Sequence, residues 1–209
     1  MDREKRQRVD AYINDLRQRV KDAPFNGIAH YNLACALIGI GEFEEAEQEL
    51  FKAIDHAPHL CEAYVQLGGL AMRKGDYETC LKLNKKASEI TPSFAVPHSN
   101  LGFVYLQMGE VDKAIESLTR AIELSPKLVQ ARTTLASAYL MKGEIDKCIE
   151  ECKKVIDQEP EFGPAYNNLG LAYMEKGDYK KAKEFFDLAT TYNFDVPDEI
   201  IKELSAQLT

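Results

Sequence analysis

The 209-residue chain lacks any uninterrupted apolar run close to the about 18 residues that a membrane-spanning helix requires. Its first residues, Met-Asp-Arg-Glu-Lys-Arg-Gln-Arg, are not followed by the apolar segment of a secretory signal. None of its five cysteines belongs to a C-x-x-C pair, which favours reduced thiols over a disulfide framework. We therefore expect a cytoplasmic protein.

Sequence motifs of catalysis are also missing. The chain contains no glycine-rich phosphate loop, no G-x-S-x-G elbow and no H-E-x-x-H helix. His56, His59 and Cys61 lie close together, but their spacing matches no zinc motif. Cys148 and Cys152 fall at interior positions, where cysteine packs as a small apolar residue, with a redox or metal role as the alternative. We expect neither an enzyme nor a cofactor or metal site.

Basic residues are outnumbered, with 26 Lys and Arg against 34 Asp and Glu, and the formal net charge is −8. An acidic surface repels phosphate backbones, so we expect no nucleic-acid partner. The exception is the first 21 residues, whose basic members are Arg3, Lys5, Arg6, Arg8, Arg17, Arg19 and Lys21. The same segment carries an apolar stripe of Val9, Tyr12, Ile13, Leu16 and Val20. This pattern predicts an amphipathic capping helix, and contact with a membrane surface is an alternative use of its arginines.

Three residue types recur every 34 residues. They are prolines at Pro24, Pro58, Pro92, Pro126 and Pro160, glycines at Gly41, Gly75, Gly109, Gly143 and Gly177, and leucines at Leu33, Leu67, Leu101, Leu135 and Leu169. The glycine can end a first helix in the left-handed conformation, and the proline stops a second helix. The leucine lies on the buried stripe of the first helix, and the small residue after it lets the second helix approach closely. The period therefore predicts five helix-turn-helix repeats.

This pattern resembles the tetratricopeptide repeat, in which an aromatic residue, Leu-Gly, Tyr, Ala, Phe and Pro follow one another in 34 residues. The closest match is Tyr166-x-x-Leu169-Gly170-x-x-Tyr173 followed by Ala182-x-x-x-Phe186. Departures are Arg132 at the aromatic position, and Asn84 and Cys152 where a large apolar residue is usual.

The resemblance implies an all-α, right-handed α-solenoid of helix-turn-helix repeats. We place the repeats at residues 27–60, 61–94, 95–128, 129–162 and 163–196. Capping helices are expected within residues 1–26 and 197–209, because the end repeats of a solenoid otherwise expose an apolar side. In the second cap, Ile200, Ile201, Leu204 and Leu208 share one face.

In this family the first helices line a concave groove, to which residues 2, 5, 9, 12 and 13 of each repeat contribute. The resemblance places these side chains there: Tyr31, Cys35, Ile38, Val65, Gly69, Met72, Ser99, Phe103, Leu106, Thr133, Ser137, Leu140, Asn167, Leu171 and Met174, with Gln107 and Met141 beside them. The lining is apolar and nearly uncharged, which favours an amphipathic helix or an extended segment with bulky side chains as the ligand. The basic residues with which some family members hold a C-terminal carboxylate are missing, so we expect no carboxylate clamp.

Gly69 removes a side chain from the groove wall between Cys35 and Phe103. We interpret this as a small pocket for one partner side chain, and the alternative is that Gly69 relieves crowding between helices. The function predicted is a protein–protein interaction scaffold. The alternatives are a structural scaffold that assembles with itself and a regulatory subunit of an enzyme complex, and the partner is not encoded in any recognisable motif.

Overall fold

The structure, a computed structural model, describes the backbone of residues 3–208 and the side chains of residues 6–208. The side chains of Arg3 and Lys5, predicted as part of the basic N-terminal set, therefore lie outside the described residues, as does residue 209 of the predicted C-terminal cap. The described chain consists of helices without a strand, and the predicted all-α class of helix-turn-helix hairpins is confirmed. The helices are α1 (Arg3–Asp22), α2 (Gly27–Ile40), α3 (Phe43–His56), α4 (Cys61–Arg73), α5 (Tyr77–Ile90), α6 (Ala95–Gln107), α7 (Val111–Leu124), α8 (Val129–Met141), α9 (Ile145–Gln158), α10 (Gly163–Glu175), α11 (Tyr179–Thr191) and α12 (Asp198–Leu208).

The repeated glycines and prolines set the helix ends. Each repeated glycine has a positive φ, from 72° at Gly177 to 85° at Gly41, a conformation that a side chain resists. Helices α3, α5, α7 and α9 each end two residues before a repeated proline. A proline disfavours the helical conformation in the residue before it, which accounts for this constant distance.

Two compact units make up the chain, one ending at Asn100 and the other beginning at Leu101. In the first unit the hairpins α2–α3 and α4–α5 pack side by side, and α1 packs against α2. Their shared core includes Leu33, Leu37, Leu50 and Leu67. Burial of this apolar surface is the main stabilising contribution to the hairpin stack.

The amphipathic stripe of α1 is only partly buried. Ile13 and Leu16 are buried in the core of the first unit, whereas Tyr12, predicted on the same stripe, is 57% exposed. The guanidinium of Arg17 forms two bonds with the carboxylate of Glu45 on α3, Nε to Oε1 at 3.2 Å and Nη2 to Oε2 at 2.7 Å. Helix α1 is thus held by the buried side chains of Ile13 and Leu16 and by the ion pair between Arg17 and Glu45.

In the second unit the hairpins α8–α9 and α10–α11 pack side by side, α7 packs against α8, and α12 packs against α11. The predicted apolar face of α12 is divided by this packing. Leu204 is 3% exposed, but Ile201 and Leu208 are 38% and 40% exposed, because α12 reaches the core along a single line of contact. Within residues 3–208, no helix combines the length and the apolar character that crossing a membrane requires.

In three hairpins, a glycine on the first helix lies against the residue sixteen positions later on the second helix. A Cβ added to Gly170 would lie 2.5 Å from the Phe186 ring, and a Cβ on Gly102 would lie 2.4 Å from Leu118. Phe186 and Leu118 are fully buried. The predicted role of these small residues, close approach of the second helix, is what the geometry requires.

Gly68 and Gly69 are neighbours in α4 with opposite surroundings. A Cβ on Gly68 would lie 2.4 Å from Asn84 Nδ2, and Asn84 is held in place because it donates to Cys80 O at 2.9 Å and accepts from Asn100 Nδ2 at 3.0 Å. Apart from its chain neighbours and the backbone of α4, no described atom lies within 4 Å of a Cβ on Gly69. The interpretation that Gly69 relieves crowding is therefore wrong, because Gly68 has that role.

We expect Gly68→Ala and Gly69→Ala to change stability in opposite directions. Gly68→Ala should lower the free energy of unfolding by about 1–3 kcal/mol through overpacking. Gly69→Ala should raise it by up to about 1 kcal/mol, because alanine favours an α-helix over glycine. Urea titrations followed by circular dichroism measure both changes, and a loss of stability in both variants would contradict the open surroundings of Gly69.

In the first, second, fourth and fifth predicted repeats, the side chain of the fourth residue lies within hydrogen-bond distance of the carbonyl oxygen of the preceding proline. His30 Nε2 lies 2.9 Å from Pro24 O, Arg132 Nη2 donates to Pro126 O at 3.3 Å, and Tyr166 Oη donates to Pro160 O at 2.7 Å. The position therefore requires a side chain with a hydrogen-bond donor, and histidine, arginine and tyrosine can all supply one.

Where this fourth residue is Arg132 or His30, a buried glutamate faces it from the second helix. Arg132 Nη1 donates to Glu151 Oε2 at 2.5 Å, and Glu151 Oε1 accepts from Lys154 at 2.8 Å. Residues His30, Glu49 and Lys52 repeat this arrangement in the first hairpin, at 2.5 and 2.7 Å. Burial raises the pKa of Glu49, but the bonds from Lys52 and His30 outweigh it and lower the pKa overall. The carboxylate is thus held in its charged form.

Candidate binding groove

A cavity of about 480 Å³ lies between the first helices α6 and α8 of the second unit. Its lining comprises Phe103, Leu106 and Gln107 from α6 and Thr133, Thr134, Ser137 and Met141 from α8. All but Thr134 are residues that the sequence places on the groove. The cavity falls in the range of about 300–1,000 Å³ that is typical of ligand sites.

The cavity has a buried floor and an exposed rim. Leu106 and Thr133 are 8% and 9% exposed, whereas Phe103 and Met141 are 37% and 59% exposed. Phe103 and Met141 are therefore apolar side chains that remain in water in the free chain. Covering them would bury apolar surface, which contributes about 25 cal/mol per Å².

Hydrogen bonds orient the three hydroxyl groups of the lining. Thr133 Oγ1 donates to Val129 O at 2.9 Å, Thr134 Oγ1 donates to Gln130 O at 2.8 Å, and Ser137 Oγ donates to Thr133 O at 3.2 Å. From the neighbouring helix α10, Asn168 Nδ2 donates to Ser137 Oγ at 2.9 Å. The hydroxyl orientations on α8 are thus determined by the backbone and by Asn168.

Thr134 is the lining residue that the sequence analysis missed. It occupies the sixth position of its predicted repeat, where the first, third and fifth repeats have Asn32, Asn100 and Asn168. In the structure, Asn100 Nδ2 donates to Asn84 Oδ1 and Asn168 Nδ2 donates to Ser137 Oγ, each in the preceding predicted repeat. Its short side chain and its place next to Thr133 on the helix surface were the signals that could have identified it.

The other predicted groove residues of the second unit do not line this cavity. Asn167 is 9% exposed, because α10 packs against α8, α9 and α11, and its Oδ1 has no hydrogen-bond partner among the described atoms. Leu171 and Met174 are half-buried against the cluster that contains Leu204 of α12. Leu140 is half-buried against the core formed by α8, α9 and α10.

In the first unit the predicted groove residues are mostly half-buried. Tyr31, Cys35, Ile38, Val65, Met72 and Ser99 share this intermediate exposure, and Gly69 is exposed. Burial and a hydrogen bond with Cys35 raise the pKa of Tyr31 to about 12, and burial raises the pKa of the Cys35 thiol. Both groups are therefore neutral near pH 7, in keeping with an uncharged lining. The pocket predicted beside Gly69 remains a prediction.

The histidines and cysteines show no arrangement suited to metal binding in the described part of the chain, where no three His, Cys, Asp or Glu side chains come close enough together. Cys148 and Cys152 are both fully buried. The hydrogen bond between these two thiols lowers the pKa of Cys148, and the same bond together with burial raises the pKa of Cys152. Both cysteines lie on α9 and face the helices that pack against it, which fits a packing role in the core.

Comparison with protein families and solved structures gives a consistent result. A family model described as the tetratricopeptide repeat matches residues 105–169, and a second model of that description matches residues 28–59 and 163–196. A search of curated proteins returned no significant match.

Several solved structures are similar to the chain. MamA is 29% identical, with a TM-score of 0.67, over 77% of this chain and 94% of MamA. YrrB, described as a TPR protein with an unusual peptide-binding site, is 24% identical, with a TM-score of 0.68, over 85% of this chain and 91% of YrrB. PilF of Pseudomonas aeruginosa is 18% identical, with a TM-score of 0.81, over 97% of this chain and 91% of PilF.

Proposed function

Since this chain belongs to the tetratricopeptide repeat family, a class of protein-interaction scaffolds, we propose that it binds a peptide or an amphipathic helix of a partner protein. The binding surface is the groove predicted on the first helices. YrrB, which shares the fold, is described as having a peptide-binding site, which supports this use of the architecture by analogy.

One observation carries the proposal. Residues predicted for the groove on two different first helices, α6 and α8, line one cavity without a charged side chain. An uncharged, half-open cavity with exposed Phe103 and Met141 suits apolar side chains of a partner segment. A partner that covers these residues gains affinity from apolar burial, and its polar backbone can remain at the rim.

Phe103→Glu should weaken peptide binding at least about tenfold, because it places a charge where the partner buries an apolar side chain. The control is Phe51→Glu. Phe51 is 52% exposed on α3, so the same change is made at a comparably exposed site on a second helix. Random peptides displayed on phage are selected on the unmodified chain, and the affinity of each enriched peptide for the three proteins is measured by fluorescence polarisation.

Circular dichroism establishes that both variants keep the helical fold. Peptides that bind the three proteins equally would place the interaction outside the cavity and contradict the proposal. A failure to enrich any peptide, together with light scattering that grows with concentration, would favour self-assembly instead.

A further inference from the structure

We propose that the cavity between α6 and α8 receives the indole ring of a tryptophan carried by the bound partner. This rests on the proposed function, since the tryptophan belongs to the segment that the groove holds. The argument uses three properties of the lining: its hydroxyl orientations, its lack of charge and its apolar rim.

The hydroxyl groups of the lining can accept hydrogen bonds from a ligand but cannot donate to one. Each hydroxyl has a single proton, and the protons of Thr133, Thr134 and Ser137 are donated to carbonyl oxygens of α8. Ser137 Oγ already accepts one bond, from Asn168 Nδ2. Among the hydroxyls, Thr134 is therefore the best-placed acceptor, and a ligand that bonds to it must supply the donor.

The lining has no charged side chain, which disfavours lysine and arginine as the donor. An ammonium or guanidinium group that loses water in a site without a counter-charge suffers a large desolvation penalty. Among uncharged side chains, tyrosine, serine, threonine, asparagine and glutamine carry an acceptor together with the donor. The indole N–H of tryptophan donates and does not accept, so it can bond to Thr134 Oγ1 without leaving a polar atom of its own unpaired, while the exposed amide of Gln107 stays in water.

The rim suits a large aromatic ring. Phe103 and Met141 stand on opposite helices at the mouth of the cavity, 37% and 59% exposed. Offset or edge-to-face packing on Phe103 and a sulfur contact with Met141 both favour an aromatic ligand. The volume of about 480 Å³ leaves room for the ring above the floor of Leu106 and Thr133.

The composition of the chain makes the test direct. It has no tryptophan, so indole fluorescence reports the probe alone, and it has five methionines, so the methyl NMR signals can be assigned one by one. The probe is N-acetyl-tryptophanamide, titrated into the full chain. We expect a blue shift of its emission and a shift of the Met141 methyl signal, with little change at Met72 and Met174.

Thr134→Val tests the hydrogen bond. This substitution keeps the shape and removes the acceptor, and it should weaken binding of the probe by about threefold to tenfold, the loss of one net hydrogen bond. The control is Thr191→Val on α11, where Thr191 likewise donates to a backbone carbonyl, at 2.8 Å, but lies outside the cavity. The N1-methyl derivative of the probe, which has no donor, should bind the unmodified chain about as weakly as the original probe binds Thr134→Val.

Equal binding of the two probes, an unmoved Met141 signal or tighter binding of N-acetyl-lysinamide would overturn the indole assignment. These outcomes are separate from failure of the groove proposal. If selected peptides still depend on Phe103 while the indole probe does not bind, the groove proposal stands and the tryptophan assignment alone is lost.

Discussion

Arg132→Tyr should lower the free energy of unfolding by about 3–5 kcal/mol, because it leaves the buried carboxylate of Glu151 without its guanidinium partner. The side chains of Arg132 and Glu151 are 11% and 12% exposed, so water replaces little of the lost interaction. Glu151→Leu should lower the free energy of unfolding by a similar amount, because it leaves the buried guanidinium of Arg132 without its carboxylate partner. Urea denaturation followed by circular dichroism measures each value.

Combining the two substitutions should restore most of the stability. In the second hairpin the equivalent positions hold Tyr64 and Leu83, and the Tyr64 hydroxyl donates to Pro58 O at 3.3 Å. The double variant reproduces that pair, keeps a donor for Pro126 O and removes both buried charges. A double variant whose loss equals the sum of the single losses would show that the two residues are not coupled.

Phe186→Ala should lower the free energy of unfolding by about 3–5 kcal/mol, the usual cost of the cavity left by a buried aromatic side chain. Phe186 is 1% exposed and packs against the bare backbone of Gly170, which cannot move in to fill the space. The same urea experiment serves as the measurement.

Phe51→Ala is the matched control for this effect. Phe51 is 52% exposed on α3, so its truncation should lower the free energy of unfolding by less than about 1 kcal/mol. Similar losses in the two variants would contradict the packing of Phe186 against Gly170 and would point instead to a general effect of phenylalanine on helix stability.

The helix boundaries could be predicted from the sequence because they depend on local chemistry. Glycines that need a positive φ and prolines that stop a helix act on their own neighbours, and their register places every hairpin turn. The division of the α12 face, with Leu204 buried and Ile201 exposed, could not be predicted in this way. Periodicity gives the apolar side of a helix but not the width of the contact that covers it.

The positions that line the cavity between α6 and α8 could mostly be predicted from the repeat register, but the exposure of the other candidate residues could not. Phe103 and Ser137 meet at one cavity, whereas Asn167 is buried because its helix is enclosed by three others. The family pattern marks Arg132 as a departure, but it does not indicate that Glu151 is its partner. Residues nineteen apart pair within a hairpin, and comparing that pair across the repeats would have revealed that a glutamate faces both His30 and Arg132.

The bonds from the fourth residue of a repeat to the preceding proline carbonyl affect how the chain opens. Tyr166 donates to the carbonyl of Pro160 just after α9, and Arg132 donates to that of Pro126 just after α7. Each of these two hairpins therefore loses a hydrogen-bond acceptor when its predecessor frays. Local opening of one hairpin therefore weakens the next, and adjacent hairpins in a unit should exchange their amide hydrogens as cooperative blocks. The carbonyl group of the proline that follows one hairpin thus links the dynamics of that repeat to those of the next.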